Sequence, residues 1–170
     1  WERVHAFIKK RLIVDVEWLD ECSYGRTLTT GGLPGRFTAT HRPRENTFHV
    51  HIETKSHPSC PDDLIANIRR VLDLDANSAA IDEHLRTTYH FANRFIPGLR
   101  IPRCWDVFEA GVRAVLGQQV SVSAATHLTR ELVQHYGARY RNARLFPSPD
   151  QLSGQLFDEL RMPHQRKATL

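Results

Sequence analysis

Residues 116–121, with the sequence Leu-Gly-Gln-Gln-Val-Ser, are the segment of this chain whose side chains point most clearly to chemistry. They separate two strongly amphipathic helical patterns, so the two amides are expected at a tight helix–helix corner. Glutamine has no special turn chemistry, unlike the glycine, asparagine or aspartate that a simple connection would use. Long uncharged amides at such a corner can contact base edges or fill a gap in a base stack. A solvated loop without a further role is the alternative that the spacing leaves open.

Adjacent carboxylates are a second residue type that could do chemistry, as general acid and base. The chain has three such pairs, Asp62–Asp63, Asp82–Glu83 and Asp158–Glu159. All three are predicted in helical turns that face solvent, so none is expected to be catalytic. Residues 31–35, Gly-Gly-Leu-Pro-Gly, lack the Lys-Ser/Thr ending of a P-loop, and the chain has no G-x-S-x-G nucleophile motif.

Metal binding has one candidate pair of ligands. His49 and His51 alternate in a β-like run over residues 47–53, so they would share one face of a strand. Two surface histidines are the commoner outcome of such a pattern, and no metal is expected. The three cysteines, Cys22, Cys60 and Cys104, form no C-x-x-C pair, which argues against a zinc site and favours a reducing, cytoplasmic compartment.

The composition of the 170 residues is that of a globular protein, with 41% apolar and 25% charged residues. It excludes a disordered tail, a collagen-like repeat and a coiled coil, and no run approaches the roughly 18 apolar residues of a membrane span. Of the 23 basic residues, 19 are arginine, and residues 101–170 hold nine basic against six acidic residues. This balance suits a phosphate-bearing partner, or simply a basic surface exposed to solvent. Because the chain begins without Met, it is expected to be part of a longer protein.

The elements that must position these residues begin with an α/β part. Helical spacing is predicted for residues 1–12, a first strand within 14–19 and a second over 24–30, and a β-hairpin over 37–41 and 47–53. A helix is predicted over 62–72, and Asn77 is expected to cap the next helix. The predicted buried side chains of these two helices are Ile65, Ile68, Val71 and Leu72, and then Ile81 and Leu85.

From Asp106 onward, all elements are predicted to be helical. Asp106 with Glu109 resembles a capping box, and a second helix is expected to end at Gly137. Ser148-Pro149-Asp150-Gln151 predicts the start of a third helix, which would bury Leu152, Leu156 and Leu160. A fourth helix is expected to begin near His164.

These segments together resemble a known family. Residues 108–122, Phe-Glu-Ala-Gly-Val-Arg-Ala-Val-Leu-Gly-Gln-Gln-Val-Ser-Val, are similar to the signature of the 3-methyladenine DNA glycosylase II (AlkA) family, a group of helix–hairpin–helix glycosylases. Residues 97–102, 146–152 and 161–168 resemble the family's segments in the same order. Residues 1–50 are similar to its N-terminal domain, so the resemblance covers essentially the whole chain.

The resemblance implies an α+β fold. A small N-terminal antiparallel sheet with helices, like that of TATA-binding protein, would occupy residues 1–76. Residues 77–170 would be the first part of an all-helical glycosylase domain. The family's DNA-binding hairpin and catalytic Asp would lie beyond this chain, so no catalytic residue is expected in it.

For function, the resemblance implies base-excision repair. Double-stranded DNA with alkylated bases would be the partner, bound by a monomer without a metal or organic cofactor. The enzyme would flip the damaged nucleotide and hydrolyse its N-glycosidic bond.

Two residues, Phe7 and Gln119, carry over from the family by position, and three more are expected beside them. Gln119 matches the residue that wedges into the gap left by the flipped base, and Gln118 and Ser121 are expected to contact DNA beside it. Phe7 matches an aromatic residue of the base pocket, although its place beside a buried helical stripe also fits a core role. Val122 is expected at the pocket border.

Two other functions stay open at this point. Relatives of the family occur fused to a methyl-accepting, DNA-binding regulator, so the chain would then be the glycosylase-like part of an adaptive-response transcriptional regulator. The second alternative is a DNA-binding module without catalytic activity.

Overall fold

The computed structural model describes residues 1–54, 61–88 and 94–170, and its elements follow one another along the chain as helices and strands. The first part comprises α1 (Glu2–Lys9), β1 (Glu17–Leu19), β2 (Ser23–Thr30), β3 (Leu33–Arg42), β4 (Thr47–Thr54), α2 (Pro61–Val71) and α3 (Ser78–Thr87). The second part comprises α4 (Val107–Leu116), α5 (Val122–Tyr136), β5 (Arg139–Tyr140), β6 (Ala143–Arg144), α6 (Pro149–Leu152) and α7 (His164–Lys167).

Strands β1 to β4 form one antiparallel sheet in sequence order. Gly31 and Gly32 connect β2 to β3 with φ values of 56° and 74°, a left-handed conformation that glycine adopts at little cost. The predicted hairpin is confirmed, because β3 and β4 pair antiparallel around a turn that begins at Pro43. The sheet positions Glu17 of β1 and Tyr24 of β2, which belong to the candidate site.

Helices α1 and α2 pack on the sheet and close the first hydrophobic core. Val4 and Ile8 of α1 are buried there, as their spacing predicts. The prediction of the buried side chains of α2 is partly wrong, because Ile65 is 48% exposed and Leu64 is buried in its place. The two residues are neighbours on the helix, so spacing alone fixes the buried face only to within about 100°.

Helix α3 begins as predicted but does not pack as predicted. The Asn77 side chain accepts a hydrogen bond from the Ala80 N–H at 3.1 Å, which confirms the cap. However, α3 has no buried residue, and Ile81 is 45% exposed, so its inward placement with Leu85 is wrong. The helix lies at the surface of the described structure.

Helices α4 and α5 form the second core with the segments that follow them. Val112 and Leu116 of α4 pack with Leu128 and Leu132 of α5. Helix α5 ends at Gly137, as predicted. There a Cβ would lie 2.4 Å from the Leu145 carbonyl oxygen, so only glycine fits this approach of two chain segments.

Two predictions for the second part are wrong. Residues 139–144 form a short β5–β6 hairpin instead of continuing the helical pattern. The helix that Ser148 begins has the predicted capping box with Gln151, but it ends at Leu152. Gly154, with φ 74°, turns the chain away, and Leu156 is 76% exposed. The final helix does begin at His164, as expected.

The predicted fold class is confirmed, with an antiparallel sheet and helices first and a mainly helical part after it. The boundary between residues 76 and 77 stays a prediction. Among the described residues, no helix has the length and apolar content required to cross a membrane.

Candidate functional site

The candidate site is a cavity of about 370 Å³ between the two parts of the fold. Its walls come from α1 and the turn after it, from residues 102–104, and from the corner between α4 and α5. The residues that line it include Phe7, Arg11, Glu17, Cys104, Arg113 and Val122. Elements far apart in the sequence therefore meet around one space large enough for a small planar ligand.

Phe7 stands at the α1 wall with 38% of its surface exposed, although its helix neighbour Ile8 is buried. The guanidinium of Arg11 lies over the ring, with its carbon 3.9 Å from the ring centroid. Phe7 and Val122, the two residues expected to border a base pocket, thus line the same cavity. Val122 is 46% exposed and faces the space from the first turn of α5.

The corner between α4 and α5 holds the two amides. Gln118 and Gln119 are exposed, and Gln119 has φ 56°, a left-handed conformation that is uncommon for a residue other than glycine. Within the described part of the chain, neither amide side chain has a hydrogen-bond partner. Ser121, in contrast, is engaged: its hydroxyl accepts the Ala124 N–H at 3.2 Å and caps α5. The corner therefore presents two free amides beside the cavity.

A buried charge cluster lies beneath the cavity and was not predicted from the sequence. The Arg26 guanidinium donates to both carboxylate oxygens of Glu109, at 2.6 and 3.2 Å. Arg113 lies 2.6 Å from Glu109 and 3.2 Å from Glu17. The Tyr24 hydroxyl donates to Glu17 at 2.9 Å. Two arginines and two glutamates therefore balance one another in a nearly dry environment.

This cluster explains why the predicted capping box is incomplete. Asp106 does cap α4, accepting the Glu109 N–H at 2.7 Å. The Glu109 side chain, however, points into the cluster rather than back to the start of the helix. A sequence signal for this existed, since Glu109 lies at helical spacing from the buried Val112 and Leu116.

The protonation states follow from burial and pairing. Burial alone would raise the pKa of Glu109, but the charges of Arg26 and Arg113 outweigh it and hold this pKa below its usual value. Burial, together with the Glu17 charge, raises the pKa of Tyr24 well above its usual value. Burial also raises the pKa of the Cys104 thiol, which keeps it protonated and poorly nucleophilic. Around neutral pH, Glu109 is therefore charged, whereas Tyr24 and Cys104 are neutral.

The other candidates for chemistry do not join this site. His49 lies 3.2 Å from Glu45, His51 lies 3.7 Å from Glu53, and both histidines are exposed. In residues 1–54, 61–88 and 94–170, no group of three or more His, Cys, Asp or Glu side chains could hold a metal ion. None of the three carboxylate pairs lines the cavity. Asp82 instead accepts the Gly98 N–H, at 2.8 Å, in a structural contact.

Comparisons with known proteins agree with this architecture. A family profile described as the AlkA N-terminal domain matches residues 1–106. DNA-3-methyladenine glycosylase 2 of Escherichia coli is 33% identical over 100% of this chain and 61% of its own length. A probable bifunctional transcriptional activator/DNA repair enzyme AlkA of Mycobacterium tuberculosis is 40% identical over 62% of this chain and 23% of its own length.

A solved structure, the 3-methyladenine DNA glycosylase from Archaeoglobus fulgidus, shares the fold with a TM-score of 0.80 at 17% identity. It matches 99% of this chain and 60% of its own. The chain therefore spans about three fifths of the length of this structure and of the Escherichia coli relative. On the profile match, the identity and the shared fold, the chain belongs to the AlkA family, whose N-terminal domain it carries.

Proposed function

We propose that the protein acts in base-excision repair and hydrolyses the N-glycosidic bond of alkylated purines of the 3-methyladenine type. The observation that carries this proposal is the position of two free amides, Gln118 and Gln119, beside a cavity of about 370 Å³. An enzyme that works on a flipped base needs a group to fill the stack and a pocket to receive the base. The name of the Escherichia coli relative supports the same substrate class.

In this proposal, Gln119 enters the minor groove and occupies the gap that the flipped nucleotide leaves. Its exposure at the tip of the corner supports the role, as does the absence of an internal partner for its amide in the described structure. The amide would also bond to the orphaned base opposite. Gln118 and Ser121 are proposed to contact the DNA from the same corner, with Ser121 holding the first turn of α5 in place.

Phe7 and Val122 are proposed to receive the base. Purines alkylated at N3 or N7 carry a positive charge, which suits the electron-rich face of an aromatic ring such as Phe7. The same charge makes the purine a good leaving group. As the glycosidic bond breaks, positive charge moves to the sugar, and a carboxylate is needed to stabilise the oxocarbenium ion. We assign that carboxylate to no residue of this chain, and no metal or organic cofactor is required.

Double-stranded DNA with alkylated bases is then the partner of a monomeric protein with a hydrolase activity. The free thiols of Cys22 and Cys104 suit a reducing compartment, so we propose a cytoplasmic location. The helix–hairpin–helix element of the family would add the main contacts to the phosphate backbone.

The experiment uses the product of the whole reading frame that contains this chain. Release of 3-methyladenine from methylated duplex DNA is expected for this protein. Val122→Trp should fill the cavity and lower the release, whereas Val107→Trp, at an 89% exposed position outside the cavity, should not. No release by a folded whole protein, or equal release by both variants, would contradict the proposal.

A second candidate function rests on the Mycobacterium tuberculosis relatives, whose names combine transcriptional activation with DNA repair. The match covers 23% of the length of these relatives. The chain would then be the glycosylase-like part of an adaptive-response regulator. Sequencing upstream of Trp1 separates the two: a cysteine-rich, helix-turn-helix segment in the same frame would establish the regulator. A whole protein that binds damaged DNA but releases no base would instead be a DNA-binding module without catalytic activity.

A further inference from the structure

The contact between Arg11 and Phe7 is unlike the other arginine–aromatic contacts of the described structure. Arg26 lies 5.4 Å from the Trp105 ring and Arg141 lies 5.7 Å from the Tyr140 ring. Both of these arginines also bind carboxylates. Arg11 lies closer to its ring, at 3.9 Å, and in the described residues no carboxylate is within ion-pair distance of it.

The bonds that hold Arg11 there are weak. Its guanidinium donates one long hydrogen bond, at 3.4 Å, to the carbonyl oxygen of Phe7. A half-buried guanidinium on an aromatic face, without a carboxylate, is held less firmly than a guanidinium paired with a carboxylate or phosphate. Arg11 can therefore leave the Phe7 ring for an ion pair with a small loss of free energy.

The charge around the cavity makes this arrangement unfavourable for a second cation. Arg11, Arg103 and Arg113 line the cavity, and Glu17 is the one carboxylate in its described lining. Glu17 is already bound by Tyr24, Arg113 and the Ile13 N–H. A positively charged ligand would meet an excess of positive charge, and it would find the Phe7 face covered.

From this geometry we infer that Arg11 is a specificity-determining residue, which occupies the cation-binding face of Phe7 until a positively charged purine takes its place. The inference rests on the proposed function for the class of ligand. The ring face accepts one cation at a time, so the purine and Arg11 compete for it. A phosphate of bound DNA is the kind of group that would draw the Arg11 guanidinium away, because it offers charged, two-point hydrogen bonds. Arg11 thereby weakens the binding of cations to the cavity when no DNA is bound.

The test uses the 170-residue chain and two nucleosides, cationic 7-methylguanosine in mildly acidic buffer and neutral guanosine. Arg11→Gln is expected to bind 7-methylguanosine about two- to fivefold more tightly than the parent, which corresponds to the lower end of the range for one cation–π contact. Binding of guanosine should stay unchanged. Lys10→Gln is the matched control, since it removes an exposed positive charge that is next to Arg11 in the sequence but does not line the cavity.

A second measurement follows Arg11 directly. In the parent, the Arg11 δ-methylene protons should resonate upfield because of the Phe7 ring current, and 7-methylguanosine should move them towards their ordinary position. In Phe7→Leu they should lie at the ordinary position from the start. Circular dichroism checks that each variant is folded.

Three results would overturn the inference. One is a gain in affinity that Lys10→Gln matches, and another is a gain that persists when Phe7→Leu is added to Arg11→Gln. The third is the absence of 7-methylguanosine binding in every folded variant. None of these decides whether the whole protein excises bases, which the release of 3-methyladenine measures separately.

Discussion

Arg26 of β2 and Glu109 of α4 are 83 residues apart in the chain and meet in a two-point contact, with both side chains almost completely buried. The contact joins the centre of the sheet to the helix that leads to the amide corner. Arg113, one helical turn further along α4, extends the cluster to Glu17 of β1. The corner is thus held to the sheet by charge as well as by apolar packing.

Glu109→Gln is expected to destabilise the fold strongly. The amide keeps the shape of the side chain but leaves the buried Arg26 and Arg113 without a compensating charge, which costs about 3–5 kcal/mol. Urea unfolding monitored by tryptophan fluorescence gives the free energy of unfolding. Glu83→Gln, in an exposed ion pair with Arg86, is the control and should change it little. Equal effects of the two substitutions would contradict the structure of the cluster.

The same cluster predicts a loss of stability in acid. Because the pKa of Glu109 is lowered in the folded state, the unfolded chain takes up a proton first as the pH falls below about 4.3, the ordinary glutamate value. The contribution of Glu109 is therefore complete above that value and decreases as the pH falls towards the folded pKa. Parallel melting of the parent and Glu109→Gln between neutral and acidic pH should show their difference shrinking. A difference that stays constant would argue against the lowered pKa.

Gln119→Ala should weaken binding to DNA that contains an abasic-site analogue by about tenfold, since unstacking a base costs a few kcal/mol that a wedge offsets. The whole protein should also excise more slowly in single-turnover experiments. Gln119→Leu should retain function, because an apolar wedge fills the same gap. Melting temperatures should hardly change, as the side chain is exposed.

Gln134→Ala, an exposed glutamine near the other end of α5, is the matched control. Excision by Gln119→Ala at the parent rate would refute the wedge. A large fall in melting temperature would instead mean that the amide ties the two helices together.

The 170-residue chain should bind duplex DNA weakly and with a shallow dependence on salt. Its net charge is +4, and each phosphate contact contributes about −0.9 to the slope of log K against log salt concentration. Fluorescence anisotropy at several salt concentrations measures this slope. Tight binding that salt does not weaken would require a different surface from the one proposed.

The chain alone is also expected to release no 3-methyladenine from methylated DNA, because no carboxylate of its described residues is placed in the cavity without a partner. Chromatography of the released bases, against a sample without protein, is the measurement. Release above that background would show that the reaction needs less of the protein than we propose.

Predictions that depend on short-range chemistry were the successful ones. Asn77, Asp106 and Ser148 each cap the helix that the sequence assigns to them, since a cap requires only its neighbours within three residues. The predicted length of α6 is wrong. Leu152, Leu156 and Leu160 have helical spacing, but the turn at Gly154 ends the helix before Leu156.

The candidate site shows the same contrast between features that depend on neighbouring residues and features that depend on distant ones. The amide corner could be located from two helical patterns and the residues between them. The charge cluster could not, because Arg26 and Glu109 lie in different elements and nothing local specifies that they meet. Family resemblance supplied Phe7 and Val122, but the cavity itself depends on how α1 and α5 approach each other.

The connection over residues 94–103 is exposed, with Ile96 and Leu99 each about half accessible, yet Trp105 just after it stacks on Phe37 inside the first core. Arg26 and Glu109 hold the two sides together without help from that connection. A protease that cuts between Ile96 and Leu99 would thus leave two pieces that remain associated. The nicked protein would migrate as one species under native conditions and as two in detergent, and the two pieces, made as separate polypeptides, would reassemble into the same fold.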